Sequence, residues 1–243
     1  MSRIGKKVWK IAGGFFILFC SYAFWYLYQL RPLPETHDAL QNSAEIKVSH
    51  EDYGISFTPT KGHSKVLLFY PGAFVDVMAY APLCRAIAKE GIRCVLIKMP
   101  LRLALFGYHA PQSTQLFADT SNEYILAGHS HGAEMAAHYI KENPGRFQKL
   151  ILLGTQYPEK ISLADNKIKV LKVYGTNDGL EPVAEVEKNK VNLPAGTRYV
   201  EIVGGNHGQF GYYGKQPFDN RATISREEQQ KQVVQAMLDF IFD

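Results

Sequence analysis

From residue 65 onward, short apolar runs alternate with stretches of helical spacing, a pattern that few architectures satisfy. "KVLLFY", "IRCVLIK", "NEYILAG", "KLILLG", "IKVLKVYG" and "RYVEIVGG" are each short enough to be strands and apolar almost throughout. Strands of that kind are buried on both faces, which predicts a mostly parallel sheet with helices on either side. The segments between them supply the helices. "VMAYAPLCRAIAKEG" closes on Gly91, "HGAEMAAHYIKENPG" is stopped by Pro144 and Gly145, and "PVAEVEKNKV" fits a further helix. A last helix starts at Ser225, with Glu228 three residues on as a capping box and an apolar stripe of Val233, Val234, Met237, Leu238 and Ile241. "MPLRLALFGYHAPQSTQLFADTS" carries a weaker pattern with room for a short helix, and "EIKVSHEDYGISFTP" predicts two strands around a turn. Right-handed crossovers place the strand ends that precede helices on one edge of the sheet, and ligands of such sheets bind at that edge.

The first 44 residues follow other rules. Arg3, Lys6, Lys7 and Lys10 account for the net charge of +4, and residues 1–30 contain no Asp or Glu. Without those four, 23 basic residues face 23 acidic ones, so the body is formally neutral and has no basic stripe for nucleic acid. Behind the basic flank (1–10) runs "IAGGFFILFCSYAFWYLYQL", residues 11–30, without a charge. A helix of that length rises ~30 Å, the thickness of a bilayer core. Phe24, Trp25, Tyr26 and Tyr28 stand where an interfacial belt would lie. The expectation is a transmembrane anchor with a cytoplasmic N-terminus and an extracytoplasmic body. "SYA" at 21–23 offers the competing reading of a cleaved signal peptide and a secreted body. Residues 31–44 read as a polar tether, and residues 45–243 as the folded domain. Cys20 lies in the apolar segment; Cys84 and Cys94 are expected to be two buried thiols, a bridge between them being the less supported reading.

The chemistry gathers at "GHSHG", residues 128–132, which has the form G-x-S-x-G between a strand and a helix. A sharp strand-to-helix turn leaves no room for side chains at Gly128 and Gly132, and it pushes Ser130 out in a strained conformation. The helix behind it offers free N–H groups to a developing oxyanion. A serine nucleophile needs a base, and the base needs an orienting carboxylate. "VYGTNDGLEP" places Asp178 after one strand, with Glu181 as the rival acid, and "VEIVGGNHGQFG" places His207 after the next. Asp165 precedes its strand and falls on the wrong edge. The expected catalytic set is Ser130, Asp178 and His207. The expected oxyanion donors are the backbone N–H groups of His131 and of Ala73 in "FYPGAFVD", with Phe74 next in line after Ala73. His131 and His138 are about two helical turns apart, too far to share an ion, and no H-E-x-x-H or Cys/His cluster appears, so neither metal nor cofactor is expected. His129 and His131 read as packing or polar contacts around the turn, and His138 as a helix-face residue.

"FYPGAFVD", "AYAPLCRAIAKEG", "LIKMPLRLALF", "GHSHGAEMAA", "VYGTNDGL" and "GGNHGQFGYYGKQPFDNRATISREEQQ" together resemble the alpha/beta-hydrolase fold-5 domain family, related to dienelactone hydrolase-like bacterial proteins. The resemblance covers roughly residues 45–243 and implies the alpha/beta-hydrolase fold, with Ser130, Asp178 and His207 at the triad positions. His131 stands where many relatives have leucine, so substrate preference does not carry over. The expected function is a serine hydrolase acting on a carboxylic ester or thioester through an acyl-enzyme, with a small-molecule or acyl substrate and no cofactor. An acyltransferase, a peptidase or a non-catalytic binding protein on the same scaffold are the alternatives. The loop 208–223 reads equally as a lid or pocket wall and as a surface loop packed by its own aromatic side chains.

Overall fold

The structure is a computed structural model that describes residues 3–62 and 64–243; the side chains of residues 3–8 and Ser113 are not described, so Arg3, Lys6 and Lys7 of the basic flank lie outside the described side chains. Eight strands form one sheet: β1 (Ile46–Glu51), β2 (Gly54–Pro59), β3 (Lys65–Tyr70), β4 (Arg93–Ile97), β5 (Glu123–His129), β6 (Lys149–Leu153), β7 (Lys169–Gly175) and β8 (Arg198–Ile202). Their spatial order is β1-β2-β4-β3-β5-β6-β7-β8. The pairs from β4 to β8 are parallel, and the β1–β2 hairpin joins β4 antiparallel at one edge. The six apolar runs are thus the six parallel strands. The alternating, half-polar β1 caps the exposed edge, where only one face needs cover.

The helices are α1 (Arg3–Gln29), α2 (Glu35–Ala39), α3 (Ala81–Lys89), α4 (His131–Glu142), α5 (Val183–Lys188) and α6 (Arg226–Phe242). One apolar cluster packs α3 and α6 on one face of the sheet, and a second packs α4 on the other. The Ser225 hydroxyl accepts from Glu228 N–H at 3.1 Å and starts α6. Residues 100–117 form four single turns of 3₁₀ helix instead of one helix. Pro100 and Pro111 deprive that segment of backbone donors, and Leu101 and Arg102 have left-handed backbone angles (φ 52° and 56°).

Two expectations need correction. Cys84 in α3 and Cys94 in β4 are joined by a disulfide rather than being separate thiols. A tight turn at Gly91 folds β4 back along α3 and brings the two Cα atoms to 5.5 Å, within bridging reach. Residues 31–44 are not a free tether. Leu30 is fully buried, Leu33 N–H donates to Tyr212 O, Pro32 bridges Tyr213, α2 buries Thr36 and Ala39, and Arg85 donates to the carbonyls of Ala39 and Gln41. Leu30, Thr36 and Ala39 give this polar-looking segment enough inward-facing surface to dock. α1 is long and apolar enough over Trp9–Gln29 to cross a membrane, and its large side chains are exposed along most of that length.

Candidate active site

β5 runs into α4 through Ser130. The turn is as tight as the glycines suggest: a Cβ on Gly132 would meet the carbonyl oxygens of Tyr70 and Pro71 at 2.3 and 2.4 Å, and one on Gly128 would meet the Gly132–Ala133 backbone at 2.6 Å. Ser130 itself sits at φ 53°, ψ −127°, a region costly for any residue with a side chain. Its N–H donates to Leu153 O in β6 at 3.0 Å, which pins the strained turn to the neighbouring strand. Sequence-adjacent helix and strand thereby hold the hydroxyl above the carboxyl edge of the sheet.

The loops after β7 and β8 meet each other at the same carboxyl edge of the sheet. His207 Nδ1 lies 2.9 Å from Asp178 Oδ2, with both side chains buried. The second oxygen of Asp178 accepts from the N–H groups of Leu180 (3.0 Å) and Glu181 (2.8 Å), so the carboxylate has one orientation and one oxygen left for the histidine. Glu181, the rival acid, faces elsewhere: its Oε2 accepts from Gln156 N–H at 2.7 Å, and burial raises its pKa. Burial alone would depress the His207 pKa. Asp178 foremost, then Glu181 and Asp219, outweigh it, and the net shift is upward.

Two backbone donors point nowhere else. Among the described residues neither Ala73 N–H nor His131 N–H has a hydrogen-bond partner, the latter being the first free donor of α4. Phe74 N–H, second choice as donor, is committed to Arg102 O at 2.7 Å.

The histidines flanking the serine take different places. His129 is fully buried, its ring 4.6 Å from that of His207 and 5.4 Å from that of Phe210. Burial keeps it neutral, and the neighbouring His207 acts in the same sense. Its Nδ1 lies 2.8 Å from the Tyr80 hydroxyl, which accepts from Gly72 N–H at 3.0 Å. A relay thus runs from the loop after β3 through Tyr80 to the strand that carries the nucleophile, and the absent Cβ of Gly72 leaves room for both side chains. Tyr80→Phe would strand two buried polar groups, and we expect it to lower unfolding free energy by about 2 kcal/mol in a denaturant titration. His131 is half-buried, with Nδ1 unpartnered, and burial lowers its pKa. His138 Nε2 meets the Tyr157 hydroxyl at 2.8 Å, on the face of α4.

Two residues escaped the sequence reading. Tyr80 carries no motif, and only its position just ahead of α3 links it to the site. Asp219 accepts from the N–H groups of His207, Gly208 and Gly179 at 3.3, 2.8 and 3.0 Å, tying the loops of the base and the acid together. Phe210 and Tyr213 of the same segment are buried in the core, and Arg226 binds the carbonyls of Gly208, Gly211 and Tyr213. Residues 208–217 are therefore mostly a packed wall beside His207, whereas most of residues 218–223 are exposed.

The model of the alpha/beta hydrolase family matches residues 66–231. No curated protein matches the chain in sequence. Solved structures share the fold at low identity. A carboxylesterase from Bacillus subtilis is 11% identical, with a TM-score of 0.55 over 90% of this chain and 97% of its own. A dienelactone hydrolase from Anabaena variabilis is 14% identical, with a TM-score of 0.56 over 80% and 98%. An alpha-beta serine hydrolase homologue from Coxiella burnetii is 15% identical, with a TM-score of 0.53 over 80% and 98%.

Proposed function

We propose that this chain, which belongs to the alpha/beta hydrolase family, is a serine hydrolase that cleaves carboxylic esters or thioesters at the outer face of a membrane. The observation that carries the reading is the buried Asp178–His207 pair at the same sheet edge as a strained Ser130. The Bacillus carboxylesterase and the Anabaena dienelactone hydrolase, by their names, support ester substrates.

In the proposed reaction His207 Nε2 takes the hydroxyl proton of Ser130 as Oγ bonds to the acyl carbon. Asp178 holds the proton on Nδ1 and stabilises the imidazolium. The carbonyl oxygen gathers negative charge against the N–H groups of His131 and Ala73. The ester C–O (or C–S) bond then breaks, and the leaving group takes the proton from His207. Water, deprotonated by the same nitrogen, attacks the acyl-enzyme and frees the acid and Ser130.

The location rests on α1, exposed and apolar over Trp9–Gln29, with Lys10 and the basic residues ahead of it predicting a cytoplasmic start. The Cys84–Cys94 disulfide supports an oxidising compartment for the body.

Purified protein should react with a fluorophosphonate probe, and Ser130→Ala and His207→Ala should not. An unlabelled parent beside a labelled control hydrolase sinks the reading. The pH profile supplies a second check. Only neutral His207 can act as base, and its pKa is raised, so kcat/KM should fall on acidification with a midpoint above the ordinary histidine value of ~6.5. A midpoint below that value contradicts the proposed environment.

A further inference from the structure

α1 ends inside the rim of the candidate site. Its apolar stretch closes at Gln29, and the next residue, Leu30, is already fully buried in the body. Tyr26 packs edge-on against Phe74 at 6.2 Å between ring centroids, and its hydroxyl accepts from the Gln216 side chain at 3.4 Å. The Gln29 carbonyl lies so close to Gly214 that a Cβ there would meet it at 2.4 Å. Phe74 immediately follows Ala73, the proposed oxyanion donor, while Gly214 and Gln216 belong to the wall that follows His207. No slack chain separates the end of the helix from the site.

The 21 residues of Trp9–Gln29 rise ~32 Å, about the full hydrocarbon thickness of a bilayer. A spanning α1 thus uses its whole apolar length, and its end lies at the lipid surface. Arg31 stacks on Tyr28 at 3.7 Å there, a cation and an aromatic of the kind that mark the headgroup level.

The loops around that end are apolar and exposed at a cost. Leu101 is 79% exposed with φ 52°, Phe218 is 81% exposed with φ 67°, and Phe74 is 37% exposed with φ 62°. Leu101 and Phe218 combine an unfavourable left-handed backbone with a hydrophobic side chain in the open, and Phe74 pairs such a backbone with a ring only partly covered by Tyr26. They follow β4, β8 and β3 in turn. Phe74 N–H bonds Arg102 O, and Arg102 pairs with Asp76, whose N–H reaches Leu30 O, so helix end, donor loop and Leu101 loop form one continuous rim. Leu105 and Phe106 extend the exposed surface, at 54% and 57%.

We propose that this rim rests on the lipid surface from which α1 emerges, and that the substrate is an acyl ester of an amphiphile resident in that leaflet, its chain remaining among the lipids while its carbonyl rises to Ser130. The substrate class rests on the serine-hydrolase reading; the lipid contact rests on α1 being retained as a span.

The test uses the full chain in phosphatidylcholine–phosphatidylglycerol vesicles. A bimane label at Leu101→Cys or Leu105→Cys, in a Cys20→Ala background, is compared with one at Val191→Cys, an exposed position between α5 and β8, outside the loops that form the rim. Headgroup-proximal doxyl lipids should quench the first two about fivefold more than the third. Equal quenching at all three overturns the lipid contact. The substrate class is read from Leu101→Gln/Leu105→Gln/Phe106→Gln, as turnover of a vesicle-borne long-chain ester relative to a soluble short-chain ester. We expect that ratio to drop about tenfold; an unchanged ratio overturns the class. Fluorophosphonate labelling of Ser130 in the same vesicles keeps the two readings apart. Its loss with quenching intact refutes the hydrolase and not the lipid contact, and labelling with equal quenching does the reverse.

Discussion

Asp178→Asn should lower kcat/KM for a short-chain ester by about 10⁴, whereas Glu181→Gln should lower it by less than about tenfold. The reason lies in how the carboxylate is held. Asp178 Oδ1 accepts from Leu180 and Glu181 N–H, so an asparagine would keep its carbonyl oxygen there and turn its NH₂ toward His207. A donor facing Nδ1 forces the ring proton onto Nε2, the atom that must accept from Ser130, and the base is lost without loss of packing. The same exchange removes the largest influence raising the His207 pKa, so the acidic limb of the residual activity should move down. Glu181 is bound to Gln156 N–H, and its amide would retain that contact. Steady-state kinetics with circular dichroism as a folding control settle the matter; a larger loss from Glu181→Gln than from Asp178→Asn would falsify the assignment of the acid.

Lys172→Met should stabilise the fold at neutral pH, and the gain should shrink as pH rises toward 10. Lys172 lies in β7 with 1% of its surface exposed, donating to the Tyr157 carbonyl, and burial pulls its pKa from 10.5 to about 7 against the opposing influence of Glu181. The unfolded chain keeps its proton up to the ordinary lysine value and the folded chain does not. Between those limits the unfolded state binds more protons, and stability increases with pH. The full depression from 10.5 to about 7 corresponds to an upper bound of about 5 kcal/mol. Loss of the hydrogen bond to Tyr157 reduces the net gain of the methionine variant to roughly 1–3 kcal/mol at pH 7. Urea titrations of both proteins across pH 7 to 10 test this: a parent whose stability is flat or falls over that range, relative to the variant, contradicts it.

How far these features could be read in advance depended on the distance over which each is encoded. The six parallel strands, the helices between them and the cap at Ser225 follow from periodicity and from breakers within a few residues, and they reappear as β3–β8 and α3–α6. The serine turn was equally local, because the two glycines and the strand–helix switch lie within five residues. Asp178 and His207 are distant from Ser130 in sequence, yet parallel topology puts every strand's carboxyl end on one edge, so their order alone indicated a shared neighbourhood.

What the sequence by itself determined is the layered parallel sheet, the turn at Ser130 and the loops that could supply its partners, since backbone sterics and hydrophobic period act over a few residues. Tertiary structure alone decided which atoms meet. Packing across the sheet sets Tyr80 against His129, joins Cys84 to Cys94, lets Asp219 tie the base loop to the acid loop, and commits Phe74 N–H to Arg102. It also docks residues 30–39 on the body, and so fixes the apolar helix beside the site. These contacts depend on side-chain shape and on groups brought close only after the chain has collapsed, and no short-range pattern encodes them.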